Sequence, residues 1–259
     1  MPTLYEWLAA EPFTLAMSSG FFSFFAHTGF LAALEARGLQ PAAVSGSSAG
    51  ALVGGAWASG LSAEALEAQL GSLQRAEFWD PAPGLGVLRG RAFETRLRAM
   101  LPVHEIAACR VPVSISVFDV RRFSTHVVRE GDLPSAIVAS CCVPGMFHPV
   151  RREGRVLLDG GVLDRPGLDG VPVGTRTLYH HIASLSPWRR APGLGATMRV
   201  PERVNMHSLV LEGLPRSGPF RLDQGRRALA IARQTTARAL DLPLNAAAPT
   251  TSHACHGTW

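Results

Sequence analysis

Gly46-Ser47-Ser48-Ala49-Gly50 follows a short apolar run, Ala42 to Val44, and precedes a helical stretch of small residues. This Gly-x-Ser-x-Gly pattern is typical of a sharp strand-to-helix turn that exposes the hydroxyl of its central serine. Gly46 and Gly50 permit close backbone approach, and the N-terminus of the following helix favours developing negative charge. The turn therefore predicts Ser48 as a nucleophile, but so short a pattern also occurs by chance and needs support from its surroundings.

The segments on either side of this turn alternate between strands and helices. Phe13 to Met17 has the pattern of a buried strand and Ser18 to Phe24 that of a loop, and the next apolar residues recur at helical spacing as far as Gly38. Such alternation predicts a three-layer α/β/α sandwich with a mostly parallel central sheet. Ligands bind at the carboxyl ends of the strands in these sheets, which is where the pattern places Ser48.

The rest of the chain predicts further elements of the same kind. Helices are expected after Ser62, over Arg91 to Leu101, over Leu133 to Ser140 and around Ala228 to Leu240, and strands over Val113 to Val117, Phe123 to Val128, Val156 to Asp159 and Met206 to Leu211. With 259 residues, 47% of them hydrophobic, the chain can bury a full core. We expect one domain over residues 1–243 and a frayed tail over residues 244–259.

The charge pattern bears on possible partners. The net charge is +5, and all 25 basic residues are arginines, which are scattered along the chain. Without a basic block, a nucleic-acid partner is not expected, whereas a weak attraction to anionic lipid surfaces is compatible with the charge. Arg189, Arg190 and Arg199 are predicted to form a solvated loop face.

Neither the cysteines nor the N-terminus indicates an exported or metal-binding protein. The four cysteines, Cys109, Cys141, Cys142 and Cys255, have no Cys-x-x-Cys spacing, so no disulfide framework, metal site or cofactor is predicted and a cytoplasmic location is expected. Glu6 and Glu11 stand where a secretory signal would be basic. The uncharged stretch from Pro12 to Leu34 is interrupted by serines and glycines, which argues against a membrane span.

A second motif, Val156-Leu157-Leu158-Asp159-Gly160-Gly161, supplies the base that a serine nucleophile needs. An apolar strand that runs into two glycines places the carboxylate of Asp159 at a strand end beside a turn. An unperturbed aspartate, with a pKa of about 3.9, is a weak base at neutral pH. Asp159 is therefore expected to act by a direct hydrogen bond to Ser48 in a pocket that excludes water.

These two motifs resemble those of the patatin-like phospholipases, which are lipid acyl hydrolases with a Ser/Asp dyad. The resemblance extends over Phe13 to Asp164 and includes the segment Ala139 to Val150 and the first helix, Gly29 to Leu39. It implies that Ser48 forms an acyl-enzyme, that Asp159 is its base, and that the substrates are lipids or short-chain carboxylic esters. The resemblance implies neither a metal nor a cofactor.

One segment departs from the family pattern. The family has a Gly-Gly-Gly-x-Arg-Gly loop whose amides form the oxyanion hole, and this chain has Ser19-Gly20-Phe21-Phe22-Ser23-Phe24. The resemblance implies the amides around Ser19, Gly20, Phe21 and Phe22 as oxyanion donors, although phenylalanines in place of glycines are expected to reshape the loop. For the phenylalanines of residues 21–25 three roles are expected, in falling order: core packing, a wall for a lipid chain, and a surface that dips into a membrane.

Two alternatives to an active Ser/Asp hydrolase remain open. One alternative is an α/β-hydrolase esterase with a Ser48, Asp159 and His207 triad, and another is an inactive module that binds acyl chains or membranes. His27 is predicted to be a buried, hydrogen-bonded histidine rather than a catalytic one. Cys141 and Cys142 are predicted to be packing residues.

Overall fold

The computed structural model describes residues 1–182, 200–244 and 250–254, the last five by their backbone alone. The helices are α1 (Leu4–Ala10), α2 (Phe24–Ala36), α3 (Ala49–Ala58), α4 (Ala63–Gly71), α5 (Arg91–Met100), α6 (Leu133–Ser140) and α7 (Leu222–Leu240). The strands are β1 (Thr14–Met17), β2 (Ala43–Ser47), β3 (Gly86–Leu88), β4 (Val113–Asp119), β5 (Ser124–Val128), β6 (Gly145–Phe147), β7 (Val150–Arg152), β8 (Arg155–Asp159), β9 (Thr177–Ile182), β10 (Met206–Glu212) and β11 (Thr250–Ala254). Single 3-10 turns occupy Arg75–Glu77, Ile106–Ala108 and Gly160–Val162.

Nine strands form one central sheet, in the order β11-β10-β9-β1-β2-β4-β8-β7, with β5 also paired to β4. All pairings from β11 to β4 are parallel. The pairings of β4 with β5 and β8, and of β7 with β8, are antiparallel. The prediction of an α/β fold on a mostly parallel central sheet is therefore confirmed.

Strand β4 brings the two sequence motifs together. Its residues 115–119 pair with β5 along one edge, so β2 and β8 must share the other edge. On that edge Ser47 of β2 is opposite Ser116, and Asp159 of β8 is opposite the next residue, Val117. The last residue of β2 and the last residue of β8 consequently meet head to head, which places Ser48 beside Asp159.

Alternate residues of the central strands pack on opposite faces of the sheet, as the period of two requires. Leu15 and Met17 of β1 belong to the main core, which the helices cover, whereas Ala16 packs with Leu168 and Tyr179 on the other face. Helix α2 is buried along most of its length because it packs against both α7 and α4. Burial on all sides explains why its sequence is apolar enough to resemble a membrane span.

The helix starts follow local capping rules. Ser62, predicted as an N-cap, accepts a hydrogen bond from the amide of Ala65 at 3.1 Å. Helix α1, which the sequence analysis did not predict, begins with a capping box in which Thr3 and Glu6 each bond the other's backbone amide. The spacing of Thr3 and Glu6 was the signal that could have revealed it.

The C-terminal tail contributes a strand to the central sheet. The tail after residue 243 does not fray throughout, since β11 extends the sheet by parallel pairing with β10, whose open edge offers unpaired backbone groups. Arg189, Arg190, Arg199 and Cys255 lie outside the described residues. Within the described part of the chain, no helix has the length and hydropathy needed to cross a bilayer.

Candidate active site

Ser48 occupies a strained turn between β2 and α3. Its φ of 52° and ψ of −116° are rare for a residue with a side chain, and such strain is typical of exposed nucleophiles. A β-carbon on Gly46 would lie 2.5 Å from the carbonyl carbon of Gly50, and one on Gly50 would lie 2.2 Å from the carbonyl oxygen of Met17. Both predicted glycines are thus required by close backbone approach.

The hydroxyl of Ser48 donates a hydrogen bond of 2.7 Å to Oδ2 of Asp159. The other carboxylate oxygen, Oδ1, accepts the amide of Gly161 at 2.7 Å, which fixes the plane of the carboxylate. Gly160 is also sterically required, because its β-carbon would lie 2.1 Å from the carbonyl oxygen of Ser116. The structure therefore brings together the two residues that the sequence predicted as a dyad.

Burial changes the acid–base properties of this carboxylate. Desolvation raises the pKa of Asp159 to about 6, against the opposing effects of its hydrogen bonds from Ser48 and from the amide of Gly161. At neutral pH the carboxylate is still largely ionised, yet it is a stronger base than an exposed aspartate. This is the property that a general base beside a serine needs.

Hydrogen bonds through Ser140 and Ser116 anchor the turn, and the sequence did not predict them. The amide of Ser48 donates to Oγ of Ser140 at 2.8 Å, and Ser140 in turn donates to the carbonyl oxygen of Ser116 at 2.7 Å. Ser140 ends α6 and is fully buried. The contact joins residues 92 positions apart, so no local sequence signal reveals it.

Of the four backbone amides predicted as oxyanion donors, the structure corrects one, that of Ser19. The amide of Ser19 is not available as a donor, because it already bonds the carbonyl oxygen of Arg165 at 2.8 Å. The amides of Gly20, Phe21 and Phe22 donate to no acceptor in the parts of the protein that the structure describes. The loop thus has three free donors rather than four.

An apolar cavity of about 130 Å³ adjoins the dyad. Its wall contains Ser48, the loop residues from Gly20 to Phe22, and aliphatic and aromatic side chains of α3, α4 and α5. Of the loop phenylalanines, Phe25 is a fully buried core residue, Phe22 and Phe24 line the cavity, and Phe21 lines it while remaining 42% exposed. Phe25 is therefore the core residue of the group, and the other three phenylalanines line the cavity.

His27 is a buried structural histidine, as predicted. Its Nε2 donates to the carbonyl oxygen of Ser18 at 2.8 Å, and its Nδ1 lies 2.8 Å from Nδ1 of His180. Burial lowers the pKa of His27 to about 3, so the ring is neutral and Nδ1 of His180 must be the donor of the pair. The pair holds the residue just before the oxyanion loop.

The alternative triad with His207 is wrong. His207 is opposite Leu178, which is level with Leu15 and Val44, so it lies at the opposite end of the sheet from the Ser48 turn. Two strands separate β10 from β2. The ring of His207 instead packs edge-on against Trp7, with 4.6 Å between ring centroids.

The remaining titratable side chains near the site do not form a metal centre. Among the side chains described over residues 1–182 and 200–244, no three His, Cys, Asp or Glu converge as a metal-binding group. Cys141 donates to the carbonyl oxygen of Ser48 at 3.3 Å, and Cys142 is buried. Burial raises the pKa of both thiols, which makes them packing residues rather than nucleophiles.

Comparison with known families places the site in context. The family model for patatin-like phospholipases matches residues 15–171, which is more than half of the chain and includes both Ser48 and Asp159. Uncharacterized NTE family proteins from Mycobacterium tuberculosis and Mycobacterium bovis are 33% identical to this chain over 153 residues. That region is 58% of this chain and 42% of the mycobacterial proteins, so the chain spans less than half of their length.

Two more distant proteins are also similar. Lysophospholipase NTE1 from Scheffersomyces stipitis is 26% identical over 164 residues, which cover 61% of this chain and 11% of that protein. The crystal structure of VipD from Legionella pneumophila superposes with a TM-score of 0.60 at 13% sequence identity, covering 89% of this chain and 67% of VipD. At that identity the structural similarity supports the fold alone.

Proposed function

Because this chain belongs to the patatin-like phospholipase family, we propose that it is a lipid hydrolase that cleaves carboxylic esters with Ser48 as nucleophile and Asp159 as base. One observation carries the proposal: Ser48, which donates a 2.7 Å hydrogen bond to Asp159, lines an apolar cavity. A serine aligned with a buried base beside a site for an acyl chain is the arrangement that acyl transfer requires.

The first half of the reaction forms the acyl-enzyme. Oγ of Ser48 attacks the ester carbonyl carbon as its proton moves to Oδ2 of Asp159, and the carbonyl oxygen becomes an oxyanion. The free amides of Gly20, Phe21 and Phe22 are the donors proposed to stabilise that charge. The tetrahedral intermediate then collapses, the bond to the alkoxy oxygen breaks, and Asp159 returns the proton to the departing alcohol.

The second half regenerates the enzyme. A water molecule transfers a proton to Asp159 as its oxygen attacks the acyl carbon, and a second tetrahedral intermediate forms at the same donors. Its collapse releases the carboxylic acid and returns the proton to Oγ of Ser48. Apart from that water, both halves use groups of this chain. Asp159 alternates between base and acid, for which a pKa of about 6 is well suited.

Substrate position follows from the shape and polarity of the site. The acyl chain is proposed to lie in the apolar cavity, with the ester at the dyad and the alcohol directed outward. A lipid substrate also implies contact with a membrane surface, and the net charge of +5 supports peripheral contact with anionic lipids. We propose a cytoplasmic protein of this kind, with no nucleic-acid partner.

We expect the wild-type protein to hydrolyse p-nitrophenyl hexanoate and the Ser48→Ala variant to lose at least about 10⁴-fold in kcat/KM, because no other nucleophile replaces the serine. The matched control is Ser47→Ala. Ser47 is the adjacent buried serine, and its hydroxyl has no partner within the described residues, so we expect this variant to retain activity. Release of p-nitrophenol measures all three proteins.

The second candidate function is a module that binds acyl chains without turnover, and the phenylalanine-rich loop favours it. Absence of hydrolysis by folded wild-type protein on every ester tested, together with binding of fatty acid, would establish that module and end the enzyme proposal. Equal activity of wild type and Ser48→Ala would show that another residue is the nucleophile.

A further inference from the structure

Phe22 is a phenylalanine in a conformation that suits glycine. Its φ is 55°, in the left-handed region, and it stands in the loop that is glycine-rich in the patatin-like family. The carbonyl oxygen of Phe22 accepts a hydrogen bond from Oγ of Ser217 at 3.0 Å, and the amide of Ser23 donates to the carbonyl oxygen of Gly20 at 3.1 Å. Phe22 therefore keeps a left-handed backbone conformation although it carries a large side chain.

Ring packing holds this strained residue in place. The centroid of the Phe22 ring lies 4.9 Å from that of Phe21, 5.3 Å from that of Phe24 and 5.7 Å from that of Phe78. Phe78 belongs to the buried cluster with Leu70 and Leu73 beside α4. Because aromatic contacts of this geometry are favourable, they offset the backbone strain and fix the ring as part of the cavity wall.

The remaining space is small for a lipid chain. The cavity measures about 130 Å³, whereas an apolar cavity of about 150 Å³ holds one benzene molecule of six carbons. The ring of Phe22 has six carbons of its own and occupies room at the cavity wall that a glycine would leave open. Removing the ring would make space for roughly six more carbons.

We propose that Phe22 is the residue that sets acyl-chain length, so that the substrates of this site are esters of short acyl chains of roughly six carbons. The inference rests on the proposed hydrolase function and adds its substrate class. A short chain fills the cavity and brings the ester to Ser48. A longer chain meets the Phe22 ring before its ester reaches the nucleophile, which lowers kcat/KM for that substrate.

The test measures kcat/KM for p-nitrophenyl butyrate, hexanoate, octanoate and dodecanoate with wild type, Phe22→Gly and Phe123→Gly. Phe123 is the matched control, since it also has a positive φ of 50° but is 77% exposed in the turn between β4 and β5, outside the cavity wall. We expect wild type and Phe123→Gly to prefer hexanoate over dodecanoate. Phe22→Gly is expected to raise the dodecanoate-to-hexanoate ratio by about tenfold or more.

Three results would overturn the inference: a wild type that prefers dodecanoate, a Phe22→Gly profile equal to that of wild type, or a folded Phe22→Gly inactive on every ester. An inactive Phe22→Gly would mean that the ring maintains the loop conformation and does not set the acyl-chain length. Should the glycine variant unfold, Phe22→Leu serves instead and must show a smaller shift in the same direction. Wild-type protein that hydrolyses no ester would overturn the proposed function as well as this inference. The three results above leave the proposed function standing, so the two failures can be distinguished.

Discussion

Asp159→Asn is expected to lower kcat/KM by about 10⁴-fold, a loss comparable to that caused by removing the aspartate of a serine-protease triad. An amide in place of the carboxylate can still hydrogen-bond to Ser48 but cannot accept its proton. In the proposed dyad no histidine stands between the two groups, so the carboxylate itself is the proposed base. Because Asn followed by Gly160 deamidates to Asp, Asp159→Ala should be measured beside it.

Asp164→Asn is the matched control for this experiment. Asp164 is also buried and accepts a hydrogen bond from a serine, Ser116, at 2.6 Å, and burial likewise raises the pKa of its carboxyl group. It does not line the cavity. We expect the Asp164 variant to keep its activity within about tenfold of wild type. Equal losses in the two variants would mean that Asp159 acts through folding rather than as a base.

The same carboxylate sets the pH dependence. Activity requires ionised Asp159, so wild-type kcat/KM should fall about tenfold per pH unit below a pKa of about 6. Stability should change in the opposite direction, since the folded-state pKa exceeds the ordinary value of 3.8 and ionisation is disfavoured in the fold. Above pH 6 the ionised carboxylate lowers the free energy of unfolding by up to about 3 kcal/mol. This cost vanishes below pH 4, and Asp159→Asn removes it. Thermal unfolding at pH 4 and pH 8 measures it.

Gly50→Ala is expected to destabilise the fold by more than about 4 kcal/mol. The new β-carbon would lie 2.2 Å from the carbonyl oxygen and 2.6 Å from the carbonyl carbon of Met17. Both atoms are backbone of a central strand, so neither can move without breaking the pairing of β1 with its neighbours. Urea unfolding measures the free energy change.

The control for that substitution is Gly71→Ala. Gly71 is the last residue of α4, and a β-carbon there would have no neighbour within 4 Å. Because alanine favours helix more than glycine does, we expect Gly71→Ala to be neutral or stabilising by up to about 1 kcal/mol. A Gly50→Ala protein as stable as wild type would mean that the turn is not held against β1 as described.

Local patterns predicted the parts of this site that local geometry determines. The glycines around Ser48 and after Asp159 reflect close backbone contacts, so the motifs alone indicated a strand-end serine and a strand-end aspartate. The head-to-head meeting of β2 and β8 depends on two pairings with β4, Ser47 with Ser116 and Asp159 with Val117, which join residues 69 and 42 positions apart. Periodicity along the chain carries no information about such pairing.

The misses have the same physical origin. The bond from Ser19 to Arg165 and the contacts of Ser140 with Ser48 and His27 with His180 all join distant segments. The left-handed conformation of Phe22 is supported by ring contacts with Phe21, Phe24 and Phe78, and Phe78 is distant in the sequence. The fold and the pairing of Ser48 with Asp159 were therefore predictable, whereas the supporting hydrogen bonds and the cavity wall were not.

Intact mass after treatment with a fluorophosphonate tests the Ser48–Asp159 dyad most directly, because the probe reports an activated serine without knowledge of the substrate. We predict one adduct per wild-type chain, the same adduct on Ser47→Ala, and none on Ser48→Ala or Asp159→Asn. Folded wild-type protein without an adduct, or an adduct that persists on Ser48→Ala, would contradict the proposed dyad.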